Sequence, residues 1–307
     1  MISNENSTQG THQHVCTVGM FDGVHRGHQL ILSKLRELAR QTGFTPLVVT
    51  FDRHPRVVLG HTDGNFKLLT TNEERFALLT RYGEMTDVEK IHFTPEVAKM
   101  SACEFYNEVL SKRLNVKMLL LGYDNMFGNK QKNDFDQLLD LPDVDVVRTE
   151  ALRWGDVEIS STQIRNRLAA GDIVEANEML GYSFAVSGRV LHGQAIGRTI
   201  NFPTANVEIA DPLKAMPREG VYAVRVYVDG GEVAHLGIAN WGGRPTVGDN
   251  GSRLEVHLIS FDGDLYDKEV RVEFEYRIRD IKTFATLAEL AAQLAADREK
   301  ANKLFAT

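Results

Sequence analysis

The hydrophobic pattern of this chain changes near residue 180, and the change limits the folds open to it. Before residue 180, short apolar runs alternate with segments of helical spacing, beginning with 15–20 and 29–41. This alternation predicts a Rossmann-like α/β domain, with a parallel sheet and helices on both of its faces. After residue 180, apolar and polar residues alternate singly, as in 221–228. That period of two predicts an antiparallel sheet or a small antiparallel β-barrel.

The individual elements follow from these periods. In the first part they are strands at 15–20, 46–51, 88–93, 116–122 and 144–149 and helices at 29–41, 72–82 and 101–114. Ser101, with Glu104 three residues later, predicts a capping box for the last of these helices. In the second part they are strands at 221–228, 254–258 and 270–276, hairpin turns at 230–231 and 262–263, and a C-terminal helix at 285–305.

The chain is long enough for two domains with separate cores. We expect a flexible polar tail at 1–14, the α/β domain at 15–182 and the barrel domain at 183–307.

Composition excludes several classes of protein. The formal net charge is −7, whereas proteins that bind nucleic acid without sequence preference are usually basic. The densest apolar run, 118–121, is too short to cross a membrane. The only cysteines, Cys16 and Cys103, fit a reducing cytosol better than a disulfide framework. We therefore expect a cytoplasmic protein with no nucleic-acid or membrane partner.

The segment 19–28 is the first candidate site, because it joins the first predicted strand to the first helix. Such a junction exposes backbone N–H groups and the positive end of a helix dipole, which suit phosphate. Glycines let the backbone approach a ligand, and histidines add hydrogen bonds or positive charge. The candidate phosphate-binding residues are Gly19, Phe21, Asp22, Gly23, His25, Gly27 and His28. Asp22 has an alternative role in shaping an Asp-Gly turn.

A second candidate lies at 159–165, where hydroxyl residues precede a helical pattern. Ser161, Thr162 and Arg165 could hold a polyphosphate through hydroxyls, backbone N–H groups and a fixed charge. The alternative is that these hydroxyls only cap the helix.

The barrel region has its own candidates. A glycine-spaced loop at 193–198 contains Gly193, Gly197 and Arg198, and is weak evidence by itself. Thr204 and Asn206 alternate onto one face of an extended segment, which suits Mg²⁺ beside substrate phosphates. The alternative is a turn that bonds its own backbone.

These motifs together resemble a known family. His25–His28 (His-Arg-Gly-His) taken with 159–165 resembles the nucleotidyltransferase superfamily, and the extended pattern is similar to the adenylyltransferase module of bacterial bifunctional riboflavin kinase/FAD synthetases. Segments 50–55 and 122–128 also resemble that family, although Asn125 and Asn133 depart from it.

The resemblance implies that the FMN phosphate attacks the α-phosphate of ATP and that pyrophosphate leaves. It implies that His25 and His28 contact the transition state and that the hydroxyls and arginine of 159–165 hold the outgoing phosphates. It implies flavin or nucleotide binding by His54, Pro55 and Asp124.

The second half resembles the riboflavin kinase domain in the order of its motifs, at 217–222, 237–246, 254–258, 264–266 and 277–280. This resemblance implies that Glu255 is the base for the riboflavin 5′-hydroxyl and that Asn240 binds flavin or nucleotide. Strand alternation independently places Glu255 off the apolar face of its strand. Without its neighbours, it would be interpreted as an exposed strand carboxylate.

The implied function is synthesis of FMN from riboflavin and then of FAD from FMN, with ATP as co-substrate and Mg²⁺ in both steps. Three alternatives stay open. The chain could retain only one of the two activities, act as a flavin-binding regulator, or adenylylate another small substrate such as a pantetheine or nicotinamide mononucleotide phosphate. The sequence makes no prediction of oligomeric state.

Overall fold

The computed structural model describes residues 12–60, 66–84, 87–123, 138–192, 202–243 and 252–306. Contacts divide the chain into two compact units. The first unit comprises Met1–Phe66 and Asn72–Ile159, and the second comprises Lys67–Thr71 and Ser160–Thr307. Most of the tail predicted at 1–14 lies outside the described residues.

The first unit is built on a parallel sheet of five strands in the order β3-β2-β1-β4-β5. The strands are β1 His14–Val18, β2 Thr45–Phe51, β3 Val88–Ile91, β4 Val116–Leu121 and β5 Asp145–Arg148. β1 is central and pairs in parallel with β2 and β4. The predicted parallel sheet is confirmed. A short hairpin, β6 Arg153–Trp154 with β7 Val157–Glu158, follows it.

Helices cover both faces of this sheet, as predicted. They are α1 Arg26–Thr42, α2 Pro55–Val58, α3 Asn72–Gly83, α4 Pro95–Lys99 and α5 Ala102–Phe105. Successive residues of a strand point to opposite faces. Val15 accordingly packs with Leu32 and Leu35 of α1, whereas Cys16 packs with Phe105 of α5.

The helix predicted at 101–114 begins as expected but changes type. Ser101 and Glu104 form the predicted capping box, with the Ser101 Oγ accepting from the Glu104 N–H at 3.0 Å. The helix is α-helical only over α5 and continues as a π-helix at Tyr106–Ser111. The buried Tyr106 hydroxyl donates to the Val116 carbonyl of β4 at 3.1 Å. Hydrophobic spacing does not distinguish these two helix types.

The second unit contains a closed barrel with the strand order β10-β11-β12-β9-β8-β13, which is one of the two arrangements that the period of two predicts. Its strands are β8 Ala185–Leu191, β9 Ala205–Ile209, β10 Gly220–Val228, β11 His235–Gly243, β12 Ser252–Leu258 and β13 Glu269–Arg279. Tyr222, Val224 and Val226 of β10 are buried, and the Tyr222 ring meets the Phe274 ring edge-on, with centroids 5.3 Å apart.

One of the two predicted hairpins is wrong. The turn at 230–231 joins β10 to β11, which pair antiparallel. The segment 262–263 lies between β12 and β13, which are not neighbours in the barrel. Consecutive strands usually pair, but here β12 pairs with β9 and β13 pairs with β8 and β10.

Two helices precede the barrel within the second unit, α6 Ser161–Ala170 and α7 Ile173–Leu180. The Asn177 side chain of α7 donates to the Phe274 carbonyl and accepts from the Phe184 N–H, both at 2.8 Å. The five residues Lys67–Thr71 also belong to this unit, because Leu68 exchanges backbone hydrogen bonds with Leu213 and Ala215, both at 2.7 Å. The domain boundary expected at 182/183 stays a prediction.

The C-terminal helix α8, Leu287–Phe305, covers the outer face of β10, β11 and β13. Arg279 of β13 donates to both carboxylate oxygens of Asp297, with its closest nitrogen at 2.7 Å. Asp297 also accepts from the Gln293 amide at 2.9 Å and is 2% exposed. Over the described ranges, no helix combines the length and apolar character needed to cross a bilayer.

We predict that Asp297→Ala lowers the free energy of unfolding by about 3–5 kcal/mol, because it leaves the largely buried Arg279 charge without its carboxylate. Urea unfolding measures the change. Glu299→Ala on the same helix is the control, because the Glu299–Lys303 pair is exposed and screened by solvent. Equal effects of the two substitutions would contradict the importance of the buried pair.

Candidate active sites

The first candidate site begins where β1 ends, at the carboxyl edge of the parallel sheet. Segment 19–28 leaves β1, turns and enters α1. The Gly19 N–H donates to the Val49 carbonyl of β2 at 3.0 Å, so the chain leaves the sheet directly afterwards. Ligands of open parallel sheets bind at this edge. The position of the segment is therefore the one predicted for a phosphate-binding turn.

This turn is tight and locally strained. Phe21, Gly23 and Val24 have positive φ angles of 51°, 81° and 35°. Glycine adopts such angles freely, whereas the Cβ atoms of Phe21 and of β-branched Val24 disfavour them. The Val24 N–H donates to the Phe21 carbonyl at 3.0 Å, and the Gln29 amide donates to the Val24 carbonyl at 2.8 Å. Strain of this kind persists only where the surroundings hold it, and it concentrates at functional sites.

His25 and His28 form a stacked pair at the start of α1. Their ring centroids are 3.7 Å apart and their planes differ by 17°. Phe21 contacts His28 edge-on, with centroids 5.2 Å apart. A Cβ at Gly27 would lie 3.2 Å from the His25 ring and 3.6 Å from the Ile159 carbonyl oxygen. Glycine at position 27 therefore lets both neighbours pack against the backbone.

The hydrogen bonds of the pair indicate its protonation. The His28 N–H donates to the Nδ1 of His25 at 3.4 Å, so in neutral His25 the proton lies on Nε2. Burial and the neighbouring His25 lower the pKa of His28 well below its ordinary value near 6.5. Within the described ranges, the buried Nδ1 of His28 has no hydrogen-bond partner. His28 is therefore neutral at neutral pH.

The end of β2 brings a second group to the same edge of the sheet. His54 caps α2, and Pro55 is its first residue. Asp52 accepts from the Phe93 N–H at 3.0 Å and from the His92 ring at 2.6 Å. Partial burial raises the pKa of Asp52, but these hydrogen bonds outweigh it and the pKa is lowered. The predicted flavin or nucleotide residues His54 and Pro55 thus have a local role in starting α2.

The second predicted phosphate segment opens α6 of the second unit. Ser160 is the N-cap, and its Oγ accepts from the Gln163 N–H at 3.3 Å. Ser161 and Thr162 are the first two helical residues, so capping accounts for Ser160 and not for them. Arg165 lies one turn further, and its Nε donates to the Lys67 carbonyl at 2.6 Å. The helix start is confirmed, and the phosphate role stays a prediction.

The third candidate site lies on the outer face of the barrel. Glu255 of β12 is paired directly with Asn206 of β9 on one side and Asn240 of β11 on the other. Side chains opposite one another on neighbouring antiparallel strands share a face, with Cβ atoms about 4.5–5.5 Å apart. The flanking residues Leu254 and Val256 are buried. Strand register therefore brings a carboxylate and two amides into one row.

His257 extends this row and is not among the residues predicted from the sequence. It follows Glu255 by two residues, on the same face of β12, and its Nδ1 donates to the Pro203 carbonyl at 2.9 Å. Burial lowers the pKa of His257, and the Pro203 carbonyl opposes the effect only in part. The bond ties the segment carrying Thr204 and Asn206 to the strand carrying Glu255. The alternation of β12, which places residue 257 on the same face as Glu255, is the sequence pattern that could have identified it.

The side-chain oxygens near Glu255 suit a metal ion that is also bound by waters and substrate phosphates. Thr204 directly precedes β9, and Asn206 is its second residue. Across the described residues, no cluster of three or more His, Cys, Asp or Glu is arranged to hold a metal. Mg²⁺ takes one or two protein groups and completes its shell with waters and substrate phosphates. Thr204 and Asn206 supply a hydroxyl and an amide oxygen, which are two such groups.

Several predicted site residues lie outside the described residues, namely Asp124, Gly193, Gly197 and Arg198. One turn contains Gly19, Phe21, Asp22, Gly23, His25, Gly27 and His28, and one row contains Asn206, Asn240 and Glu255.

Comparisons with known proteins match both halves of the chain. Residues 7–163 match the FAD synthetase family, and residues 180–305 match the riboflavin kinase family. The bifunctional riboflavin kinase/FMN adenylyltransferase of Pseudomonas fluorescens is 40% identical over 301 residues, covering 95% of this chain and 93% of the relative. The enzyme of the same description from Escherichia coli K12 is 39% identical over 295 residues, covering 95% and 92%.

A solved structure of similar fold covers the same span. The crystal structure described as a macrolide-efflux protein from Streptococcus pneumoniae superposes with a TM-score of 0.85 at 32% identity, covering 95% of each chain. The similarity therefore extends over both units.

We predict that the stability of the chain falls as the pH drops below about 6.5. Unfolded His28 takes up a proton there, whereas folded His28, with its lowered pKa, does not. The midpoint of thermal unfolding at pH 7.5 and pH 5.5 measures the loss. His28→Gln should reduce the loss, and His12→Gln in the same unit should leave it as in the parent. An equal pH response in the parent and in His28→Gln would contradict the prediction.

Proposed function

The chain belongs to the family of bifunctional riboflavin kinase/FMN adenylyltransferases, and we propose that it phosphorylates riboflavin at the barrel site and adenylylates FMN at the site of the α/β unit. ATP is the co-substrate of both activities, and activities of this kind use a divalent metal. The main support is the direct strand pairing of Glu255 with Asn206, together with the stacked His25 and His28 at a helix N-terminus.

In the adenylylation, an oxygen of the FMN phosphate attacks the α-phosphorus of ATP, and the bond to the β-phosphate breaks to release pyrophosphate. No covalent enzyme intermediate is needed, so positioning and charge stabilisation supply the catalysis. We assign the Nε2–H of His25 and the ring of His28 to the oxygens of the α-phosphate. Gly19, Gly23 and the N-terminal N–H groups of α1 offer further contacts.

The leaving pyrophosphate needs donors of its own. We assign this role to Ser161, Thr162 and Arg165, whose hydroxyls and fixed charge suit phosphate oxygens. Phe21, Asp22 and Gly27 remain proposed parts of the phosphate-binding turn. His54, Pro55 and Asp124 remain proposed contacts to flavin or nucleotide.

In the kinase reaction, the riboflavin 5′-hydroxyl attacks the γ-phosphorus of ATP, ADP leaves, and Glu255 accepts the hydroxyl proton. General-base help of this kind contributes about 10²–10⁴-fold. Asn240, beside Glu255 in the row, is a proposed flavin or nucleotide contact. Gly193, Gly197 and Arg198 are proposed to hold the ATP phosphates.

We propose that the divalent metal of the kinase site is Mg²⁺ and that Thr204 and Asn206 would hold it. When bound, the ion supplies positive charge to the ATP phosphates. Residues 15–182 and 183–307 are the proposed domains, and the proposed location is cytoplasmic, supported by Cys16 and Cys103, which form no disulfide.

We predict that substitutions at the two sites have opposite effects on the products. His28→Ala should still form FMN from riboflavin but lose FAD formation, whereas Glu255→Gln should lose FMN formation but still convert supplied FMN to FAD. Chromatography of the flavins over time, with ATP and Mg²⁺ in excess, measures both. FMN without FAD in the parent would instead support a single-activity kinase. Flavin binding without any turnover would support a regulator.

We also predict that Asn206→Ala raises the Mg²⁺ concentration for half-maximal FMN formation by about tenfold or more, because an oxygen ligand is lost. Glu208→Ala, an exposed change on the same strand, is the control and should behave like the parent. An unchanged Mg²⁺ dependence in Asn206→Ala would remove this residue from the metal site.

A further inference from the structure

Arg75 of α3 is a buried cation at the edge of the first candidate site. Its side chain is among the largest fully buried ones in the described residues, and it is 1% exposed. One terminal nitrogen, Nη2, donates to the Phe51 carbonyl at 2.6 Å and to the Asn72 Oδ1 at 2.7 Å. The other, Nη1, lies 3.8 Å from the Met20 sulfur. The helical spacing of 72–82 does not predict that Arg75 is buried or near the site.

These contacts join the ends of two strands. Phe51 is the last residue of β2, and Met20 lies two residues beyond β1, inside the turn that leads to the histidine pair. Asn72, in the first turn of α3, donates its amide to the Asp52 carbonyl at 2.8 Å. Arg75 and Asn72 therefore fix the edge of the sheet at which the turn stands.

Burying a guanidinium costs several kcal/mol unless opposite charges and hydrogen bonds compensate it. Burial lowers the pKa of Arg75, and the negative charges of Asp22 and Asp52 oppose that effect. Asp22 is itself buried, in the strained turn between Phe21 and Val24. The attraction between Arg75 and Asp22 thus acts on the backbone that has unfavourable φ angles.

We propose that Arg75 is a positioning residue for adenylyl transfer, which fixes the turn carrying His25 and His28 through its attraction to Asp22 and its hydrogen bond to the end of β2. The proposal rests on the proposed adenylylation of FMN. In this role Arg75 acts through the turn and not through contact with the substrate. Its loss shifts the turn, and a shift of about 1 Å in a catalytic group can cost about 10²-fold in rate.

The test compares Arg75→Met and Arg75→Lys with Arg81→Met, an exposed change on the same helix. Each full-length protein is assayed for FAD formation from FMN, ATP and Mg²⁺, with kcat and KM measured separately. Riboflavin phosphorylation by the same chain, together with the thermal unfolding midpoint, reports whether the protein is folded.

We expect Arg75→Met to lower the kcat of FAD formation by about 10²-fold, with little change in KM and with parental riboflavin phosphorylation. Arg75→Lys keeps the charge but loses the paired N–H donors of the guanidinium. Its kcat should therefore fall between that of the parent and that of Arg75→Met. Arg81→Met should match the parent. Asp22→Asn supplies a double-mutant cycle, in which the combined loss should be clearly smaller than the product of the single losses, because both substitutions weaken one electrostatic interaction.

Four outcomes would overturn the proposal or the function on which it rests. A folded Arg75→Met with parental kcat overturns the proposal, and so do losses that multiply fully with Asp22→Asn. If Arg75→Met does not fold, the same comparison made with Arg75→Lys decides, and a parental kcat for that variant overturns the proposal. If the parent itself makes no FAD from FMN, the proposed function fails and this inference fails with it.

Discussion

The hydrogen bonds between neighbouring strands determine where both units can act on a ligand. In the first unit, the parallel pairing of β1 with β2 and β4 ends these strands at one edge, where the chain must turn at Gly19. In the barrel, antiparallel register sets Asn206, Glu255 and Asn240 opposite one another on three adjacent strands. A shift of one residue in β12 would send Glu255 to the apolar interior and bring Leu254 or Val256 to the outer face. The backbone pairing therefore determines which side chains come together at each site.

Both units also keep charged or titratable groups away from water. His28 remains neutral beside His25, Arg75 remains charged beside the turn, and Asp297 of α8 accepts hydrogen bonds from the Arg279 guanidinium. Each arrangement stores free energy that is lost when one partner is removed. These buried interactions therefore hold neighbouring helices and strands together, and two of the three lie at or beside the turn at 19–28.

The sequence predicted what depends on local periodicity and on compact motifs. The five strands of the first sheet, the Ser101 capping box and the turn at 19–28 follow from residues close together in the chain. What it did not predict depends on contacts between distant segments. The pairing of β12 with β9 rather than β13 is of this kind. So are the bond from His257 to Pro203, 54 residues away, and the contacts of Arg75 with the ends of two strands.

The segment Lys67–Thr71 has a consequence for how such a chain can be taken apart. Its backbone bonds run to residues 213–215, while the residues on either side of it, Phe66 and Asn72, belong to the first unit. No single cut separates the two compact units, because a fragment that begins after Ile159 lacks five residues of its own structure. The buried amine of Lys214, which donates to the Leu69 carbonyl at 2.7 Å, would lose that acceptor. Dividing the chain near residue 159 would therefore break backbone hydrogen bonds that lie within the second unit.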